Sequence, residues 1–449
     1  MKRTTLSLLL LAASMWTAQT VQAENWPGWR GPRGDGTSTS QAVPISWDAT
    51  TGKNLLWKTP LSTEGHSSPI IHGNRAYVVG CVKSKQQRTL VSLDAHTGKV
   101  AWERVVFAAP LESKHKLNSY ASGTPVTDGK TIYVSFLETG KQKIPAPNVG
   151  NKRLITPGRM VVAAYSSAGK KLWMVRPGDF VSAHGFCSSP VIYEDLLIVN
   201  GDHDGKSYML ALDRKTGKTV WKTDRKYGIR SYVTPLIRKI DGRTQMVVSG
   251  SQHITSLDPR TGKRHWIIEG PTEQFVASMV YDGNLFFMAC GYPTYHVMGI
   301  NPRGNGDVTK SHITWHSRGA KCYVPARSSL TSTSWSPTTE ERATASMPRR
   351  AIGSGRAGWD ATSAARWSPP AAWRSSSPMT ESPRPSNRVR NFRWLPRTSW
   401  ANSPTPPRQS PTTASTSVAR NTCSASGPRR RPESDTTTAD RTAAAAAAG

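Results

Sequence analysis

"DAHTGKVAW", residues 94–102, and "DRKTGKTVW", residues 213–221, are one pattern written twice. It recurs as DATTGKNLLW ending at Trp57, SSAGKKLW at Trp173 and DPRTGKRHW at Trp266, with a degenerate copy, NPRGNGDVTKSHITW, ending at Trp315. Asp-x-x-Thr-Gly-Lys reads as a tight turn in which the glycine (Gly52, Gly98, Gly169, Gly217, Gly262) takes positive φ and the lysine points to solvent. The tryptophan that follows (Trp57, Trp102, Trp173, Trp221, Trp266) falls on a strand. Its large area suits docking against a neighbouring sheet.

A second element alternates with the first: HSSPIIHGNRAYVV from His66, ASGTPVTDGKTIYVS from Ala121, CSSPVIYEDLLIVN from Cys187, YVTPLIRKIDGRTQMVVS from Tyr232 and VASMVYDGNLFFMA from Val276. Each begins with a short apolar strand, turns at D-G or an equivalent, and returns as an IYVV-type strand. A third strand of the LVSLD or LALD kind leads into the T-G-K turn, and the fourth carries the tryptophan. Four short antiparallel strands every 45 or so residues make the blade of a β-propeller. No helix-period segment of useful length interrupts them, so the fold class is all-β.

These residues carry a resemblance. The D-x-x-T-G-K-x-x-W turn preceded by SSP strands resembles the PQQ-type propeller repeat, shared by quinoprotein dehydrogenases and by an outer-membrane assembly scaffold. The segment ENWPGWRGPRGDGTS, Glu24 to Ser38, is similar to the mature start of exported PQQ-like propellers of planctomycete-type bacteria. Its Gly and Pro content suits an extended strap. The resemblance covers roughly residues 24–325 and implies eight blades, of which about six are encoded. It is specific for the fold and poor for function.

The pattern stops inside KCYVPARSSLTSTSWSPTTEERATASMPRR, which begins at Lys321. Inner-strand starts stand at Pro69, Pro125, Pro190, Pro235, Met279 and Pro325, and the blades needed to close a ring should follow. An open propeller would expose two sheet faces and a long edge. A displaced reading frame accounts for the break. Shifted codons permit SPLVVDEYL just after Pro325, GAGNCFDAATGDRLWEGRLG between Glu340 and Gly358, and YASPAISD followed by RIYLRGEEHLFCIG between Pro404 and Gly427. The missing turn and strands thus come in the expected order, in one frame. As written, the Pro-, Ser-, Thr- and Arg-rich tail is expected to be disordered. The divisions are therefore a signal peptide at 1–23, a strap at 24–47, blades at 48–325 and an out-of-frame tail at 326–449.

Charge reinforces that division. Residues 322–449 hold 18 Arg, no Lys and 7 acidic residues, whereas all 23 lysines lie in residues 1–321. The net charge of +30 is thus partly a property of the tail. In the blades, basic residues sit scattered at turns, which argues against a nucleic-acid groove. Lys2 and Arg3, the apolar Leu6–Ala13 run and Val21-Gln22-Ala23 make a signal peptide cleaved near Ala23. Periplasmic or secreted localisation follows, with no transmembrane segment, no lipid anchor and a monomeric state expected. Five separated cysteines (Cys81, Cys187, Cys290, Cys322, Cys423) signal neither a metal knuckle nor a disulfide framework.

The sequence contains no adjacent cysteine pair, no C-x-x-C-H, no G-x-S-x-G and no H-E-x-x-H. Asp202, His203 and Asp204 could form a metal loop, but they also fit a hairpin turn. Residues just before each inner strand converge on one end of the channel: His66, Tyr120, His184, Arg230, Tyr232, Lys321 and Tyr323. Aromatic, imidazole and cationic groups around an axis suit an anionic ligand or an extended peptide. They also fit plain polar caps on a channel. The expectation is a non-catalytic exported scaffold without cofactor, binding envelope proteins, peptides or a small anion. The alternative implied by the resemblance is an oxidoreductase carrying PQQ with Ca²⁺.

Overall fold

A computed structural model describes residues 23–40, 44, 46–148 and 153–318, with the backbone of four short strands at 328–330, 333–337, 343–346 and 414–416. Its described residues form five consecutive sheets of four antiparallel strands, the fourth of them extended by one short parallel strand. The first comprises Ile70–His72, Arg75–Val82, Gln87–Asp94 and Val100–Ala108. The second comprises Val126–Thr127, Thr131–Thr139, Gly158–Ser166 and Lys171–Phe180. The third runs Val191–Tyr193, Leu196–Gly201, Tyr208–Asp213 and Thr219–Asp224. The fourth is Leu236–Ile240, Arg243–Gly250, His253–Leu257 and Arg264–Glu269, and the fifth Val280–Tyr281, Phe286–Cys290, His296–Ile300 and Ile313–Ser317. The first strands of the first three sheets lie next to one another, as the inner strands of propeller blades do.

Side-chain alternation makes the sheets stack. In the strand Thr131–Thr139, Ile132, Val134 and Phe136 join Ile70, Tyr77 and Val79 of blade 1. Tyr133 and Leu137 turn the other way, to Leu197 and Val199 of blade 3. Both faces of a middle strand are therefore buried, which is why it reads as a nearly unbroken apolar run. Each such side chain stabilises the interface by about 1.5–3 kcal/mol.

The Ser/Thr-Pro pairs link the inner strands. Ser68 N donates to Thr124 Oγ1 at 3.0 Å, and Thr124 N donates to Ser189 Oγ at 3.0 Å. These two amides, each before a proline, thus find a hydroxyl on the next blade and are not left as buried unpaired donors.

The tryptophans dock as expected, each on the turn of the following blade. Trp57 Nε1 donates to Ala95 O (2.9 Å), Trp102 to Ser167 O (3.1 Å), Trp173 to Arg214 O (3.0 Å) and Trp221 to Pro259 O (3.1 Å). Under each ring lies the turn glycine: a Cβ on Gly98 would sit 2.5 Å from Trp57, and one on Gly217 2.7 Å from Trp173. Gly52 differs, having no atom within 4 Å of such a Cβ. Trp266 also departs from the pattern, for its Nε1 donates to Gln245 Oε1 and it is fully buried. The connection after Ile300 adds Gly306–Asp307 in parallel beside Arg264–Glu269, with Gly306 paired to Trp266 itself.

The unequal spacing of Trp102 and Trp173 has a cause as well. Blade 2 carries an insertion between its second and third strands, with a small ribbon pairing Ile144–Pro145 and Leu154–Ile155.

Two interblade faces remain, at the ends of the arc. Leu61, Ala76, Val78, Val91 and Leu93 form one, and Val280, Leu285, Phe287, Val297 and Trp315 belong to the other. Strand Thr59–Leu61 pairs with 414–416, and 328–330, of a three-stranded sheet, lies beside Val280–Tyr281. Four short strands thus stand where the residue pattern shows none. The rest of 326–449, expected to be disordered, lies outside the described residues, as does residues 1–22 of the expected leader.

Candidate binding face on the propeller axis

Five of the seven axial residues come together in two joined groups, while Lys321 and Tyr323 lie outside the described residues. The first group surrounds Tyr120. Its ring is approached by Lys114 Nζ at 5.1 Å and by the Arg88 guanidinium at 5.8 Å. His66 is held beside it, its amide donating to Ala121 O (3.1 Å) and to Ser119 Oγ (3.0 Å). The second group centres on His184. Arg230 Nε donates to His184 Nδ1 at 3.3 Å, leaving the imidazole proton on Nε2. His115 lies 5.1 Å from His184 between ring centroids, and Tyr232 stacks at 6.3 Å.

The connection between blades 1 and 2, residues 109–125, joins the groups. His115 N and Asn118 Nδ2 both donate to His184 O, at 3.2 and 2.8 Å. The blade 2 insertion adds Asn148, whose carbonyl accepts from Arg230 Nη1 at 3.1 Å. Lys114, His115, Asn148 and Arg153 were not among the residues singled out by sequence. The signal was available: SKHKLNSY lies in a connection far longer than the other interblade turns, and long connections tend to carry function.

Electrostatics set the character of this face. Burial pushes His184 down to about 3, and the Arg230 and Arg153 charges add to the fall. Burial also lowers His66 and His115, followed in effect by Lys114 for the first and Arg153 for the second. These imidazoles are therefore neutral donors and acceptors at pH 7, set among fixed positive charge.

The nearby buried carboxylates are spent. Glu112 pairs with Arg88, Asp204 with Arg230 at 2.7 Å, and Asp202 with Arg225 at 3.0 Å. Burial pushes all three carboxyls up, against the pull of those guanidiniums. Asp202, His203 and Asp204 do occupy a hairpin turn, between Leu196–Gly201 and Tyr208–Asp213. His203 Nδ1 accepts from Gly205 N at 3.0 Å rather than facing a metal.

PQQ with Ca²⁺ fits this donor set poorly. Ca²⁺ takes anionic oxygen ligands, and the buried carboxylates here are already bound by arginine. The described thiols near this end, Cys81 and Cys187, lie far apart in sequence and are not joined in a disulfide, with Cys187 Sγ 4.0 Å from Ser122 O. No group of three or more metal-binding side chains occurs among the described residues.

Fold and face together define a PQQ-type β-propeller. A family model described as outer membrane protein assembly factor BamB matches residues 35–141 and 126–287, more than half of the chain, and the chain belongs to that family. No curated protein sequence matches it significantly. Among solved structures it is similar to BamB from Moraxella catarrhalis, at 14% identity and TM-score 0.40, over 64% of this chain and 73% of that one. Quinohemoprotein alcohol dehydrogenase from Comamonas testosteroni gives 11% identity and TM-score 0.40, over 72% and 71%. A europium-containing methanol dehydrogenase gives 12% and 0.45, over 72% and 84%.

Proposed function

We propose that the chain is a non-catalytic scaffold of the cell envelope whose axial face binds a carboxylate-bearing partner, an acidic peptide or a small organic anion. One observation carries this reading. Lys114 and Arg153 have no acidic partner among the described residues, while Glu64, Glu112 and Asp204 are engaged by Lys83, Arg88 and Arg230. The two groups therefore offer cations and imidazole donors, while Glu64, Glu112 and Asp204 beside them are already engaged. A partner supplying the missing negative charge gains both steering and register.

The alternative, a quinone-dependent oxidoreductase, is tested directly. The protein is mixed with PQQ and Ca²⁺, gel-filtered and assayed for dye-linked alcohol oxidation. Scaffold function predicts no turnover and no Ca²⁺-dependent co-elution of quinone absorbance. Turnover with co-elution overturns the proposal.

Export to the periplasm, with a mature start at Glu24 and a monomeric state, belongs to the same reading. Glu24 itself is tied into the strap: its amide donates to Ser40 Oγ at 2.9 Å, and its carboxylate receives Arg33 Nη2 (3.0 Å) and Thr39 N (2.8 Å). No helix among the described residues is long and apolar enough to cross a membrane. We also propose that the reading frame is displaced near Pro325. Re-reading the gene across codons 318–335 tests this: an inserted or missing base is expected, and an intact frame refutes it.

A further inference from the structure

The inner strands of blades 1 to 4 begin next to the cationic face and run away from it into their hairpins. The strap lies against that hairpin side. Asn25 Oδ1 accepts from Gly73 N at 2.8 Å, in the blade 1 hairpin. Trp26 and Ile71 exchange both backbone hydrogen bonds, at 2.8 and 2.9 Å. Pro27 O accepts from Thr127 N of blade 2 at 2.8 Å, and Gly28 packs so closely that a Cβ would stand 3.0 Å from Val126. Arg33 O accepts from Arg238 of blade 4 at 2.5 Å.

Trp29 then reaches blade 5. Its Nε1 donates to Ser278 Oγ of blade 5 at 2.9 Å. Ser278 holds the repeat position of Ser68, Thr124 and Ser189, whose amides and hydroxyls join blades at the start of the inner strands. The indole therefore passes beyond the hairpin ends and enters the channel as far as that ring. Strap contacts to blades 1, 2, 4 and 5 cannot all be made from one side of the arc without crossing the axis.

We infer that residues 25–34 plug the channel from behind, making it a blind cup open at the His184–Arg230 end. A ligand is then taken end-on, as a small anion or the carboxylate terminus of a peptide. A peptide cannot be threaded through. The class of ligand rests on the axial reading proposed above, whereas the plug does not, and its test needs no ligand.

The test is accessibility at Ser278. In the full chain carrying Ser278→Cys, maleimide labelling of that position, followed by peptide mass mapping, should be slow, because a covered thiol reacts only through local opening. Adding Trp29→Ala should speed labelling at 278 by about tenfold or more, the size expected when a local cover is removed. Cys187, half-buried at the other end, should keep its rate and serves as the internal control. Hydrogen exchange supplies a second readout. The amides of Ile71 and Thr127, which donate to the strap, should lose protection in Trp29→Ala while the middle strand Thr131–Thr139 keeps it. Equal labelling at 278 with and without Trp29, or unchanged exchange at Ile71 and Thr127, overturns the plug. Loss of protection throughout would show that Trp29 holds the fold rather than covers the channel, and overturns it equally.

Discussion

Replacing Gly217 by alanine isolates the contact that repeats around the ring. The position has φ +74°, and a Cβ there would lie 2.7 Å from Trp173. Two costs follow. Any L-residue at that φ loses about 1 kcal/mol. Forcing the indole off the turn adds an overpacking cost of about 1–3 kcal/mol, and the bond from Trp173 Nε1 to Arg214 O (3.0 Å) is strained or lost with it. The sum is about 2–4 kcal/mol. Gly52→Ala is the matched control, in the same turn motif at φ +76° with nothing within 4 Å, so it should cost only the backbone share, about 1 kcal/mol. Urea midpoints at constant slope read both. In a Trp173→Ala background the Gly217→Ala cost should fall to that of Gly52→Ala, a coupling of about 1–3 kcal/mol. Equal costs for the two glycines, or no coupling to Trp173, would refute the docking account.

Three further outcomes follow from the same structure. Restoring the proposed frame supplies the blades needed to close the ring, and the tryptophan position of the blade preceding residues 48–53 should then dock on that turn. Gly52→Ala should then become as costly as Gly217→Ala, measured by the same urea titration, and an unchanged cost speaks against such ring closure. Stability should fall in mild acid. Burial holds His203 at about 4 and His253 at about 3, below the unfolded imidazole near 6.5, so the unfolded chain binds more protons. The stabilisation is complete above pH 6.5 and drains away as pH falls toward those values, by about 2 kcal/mol per histidine at pH 5. Urea midpoints from pH 7.5 to 5 check this, and a flat profile contradicts it. Finally, Asp202→Asn leaves Arg225 charged and buried, and should destabilise by about 3–5 kcal/mol, whereas Asp202→Leu with Arg225→Met should recover much of that loss. Thermal melts of the single and double variants decide it.

What was legible in the sequence was whatever repeats. Trp57, Trp102, Trp173 and Trp221 meet equivalent carbonyls because one packing problem is solved four times, and spacing alone exposes a solution repeated in that way. Trp266 escaped the pattern because the segment at Gly306–Asp307 is specific to one blade. The axial face was half legible. His66, Tyr120, His184, Arg230 and Tyr232 precede inner strands and so follow from the repeat. Lys114, His115, Asn148 and Arg153 arrive from an irregular connection and an insertion, where no period indicates which blade a residue will reach. For Asp202 and Asp204 the sequence favours the turn reading over the metal reading, but their arginine partners, distant in sequence, are not visible in it. Arg225 and Arg230 decide the matter in space.

Calorimetric titration of the full chain with citrate, a compact tricarboxylate, against a Lys114→Ala/Arg153→Ala variant tests the central claim most directly. Neither residue forms an ion pair among the described residues, and Lys114 gives up its contact with the Tyr120 ring, so the variant should lose at most about 1 kcal/mol of stability. The account predicts saturable binding that weakens with added salt and falls about tenfold in the variant, the equivalent of about 1.4 kcal/mol. Absence of binding to the unaltered chain, or equal affinity in the two proteins, would contradict an anion-binding axial face.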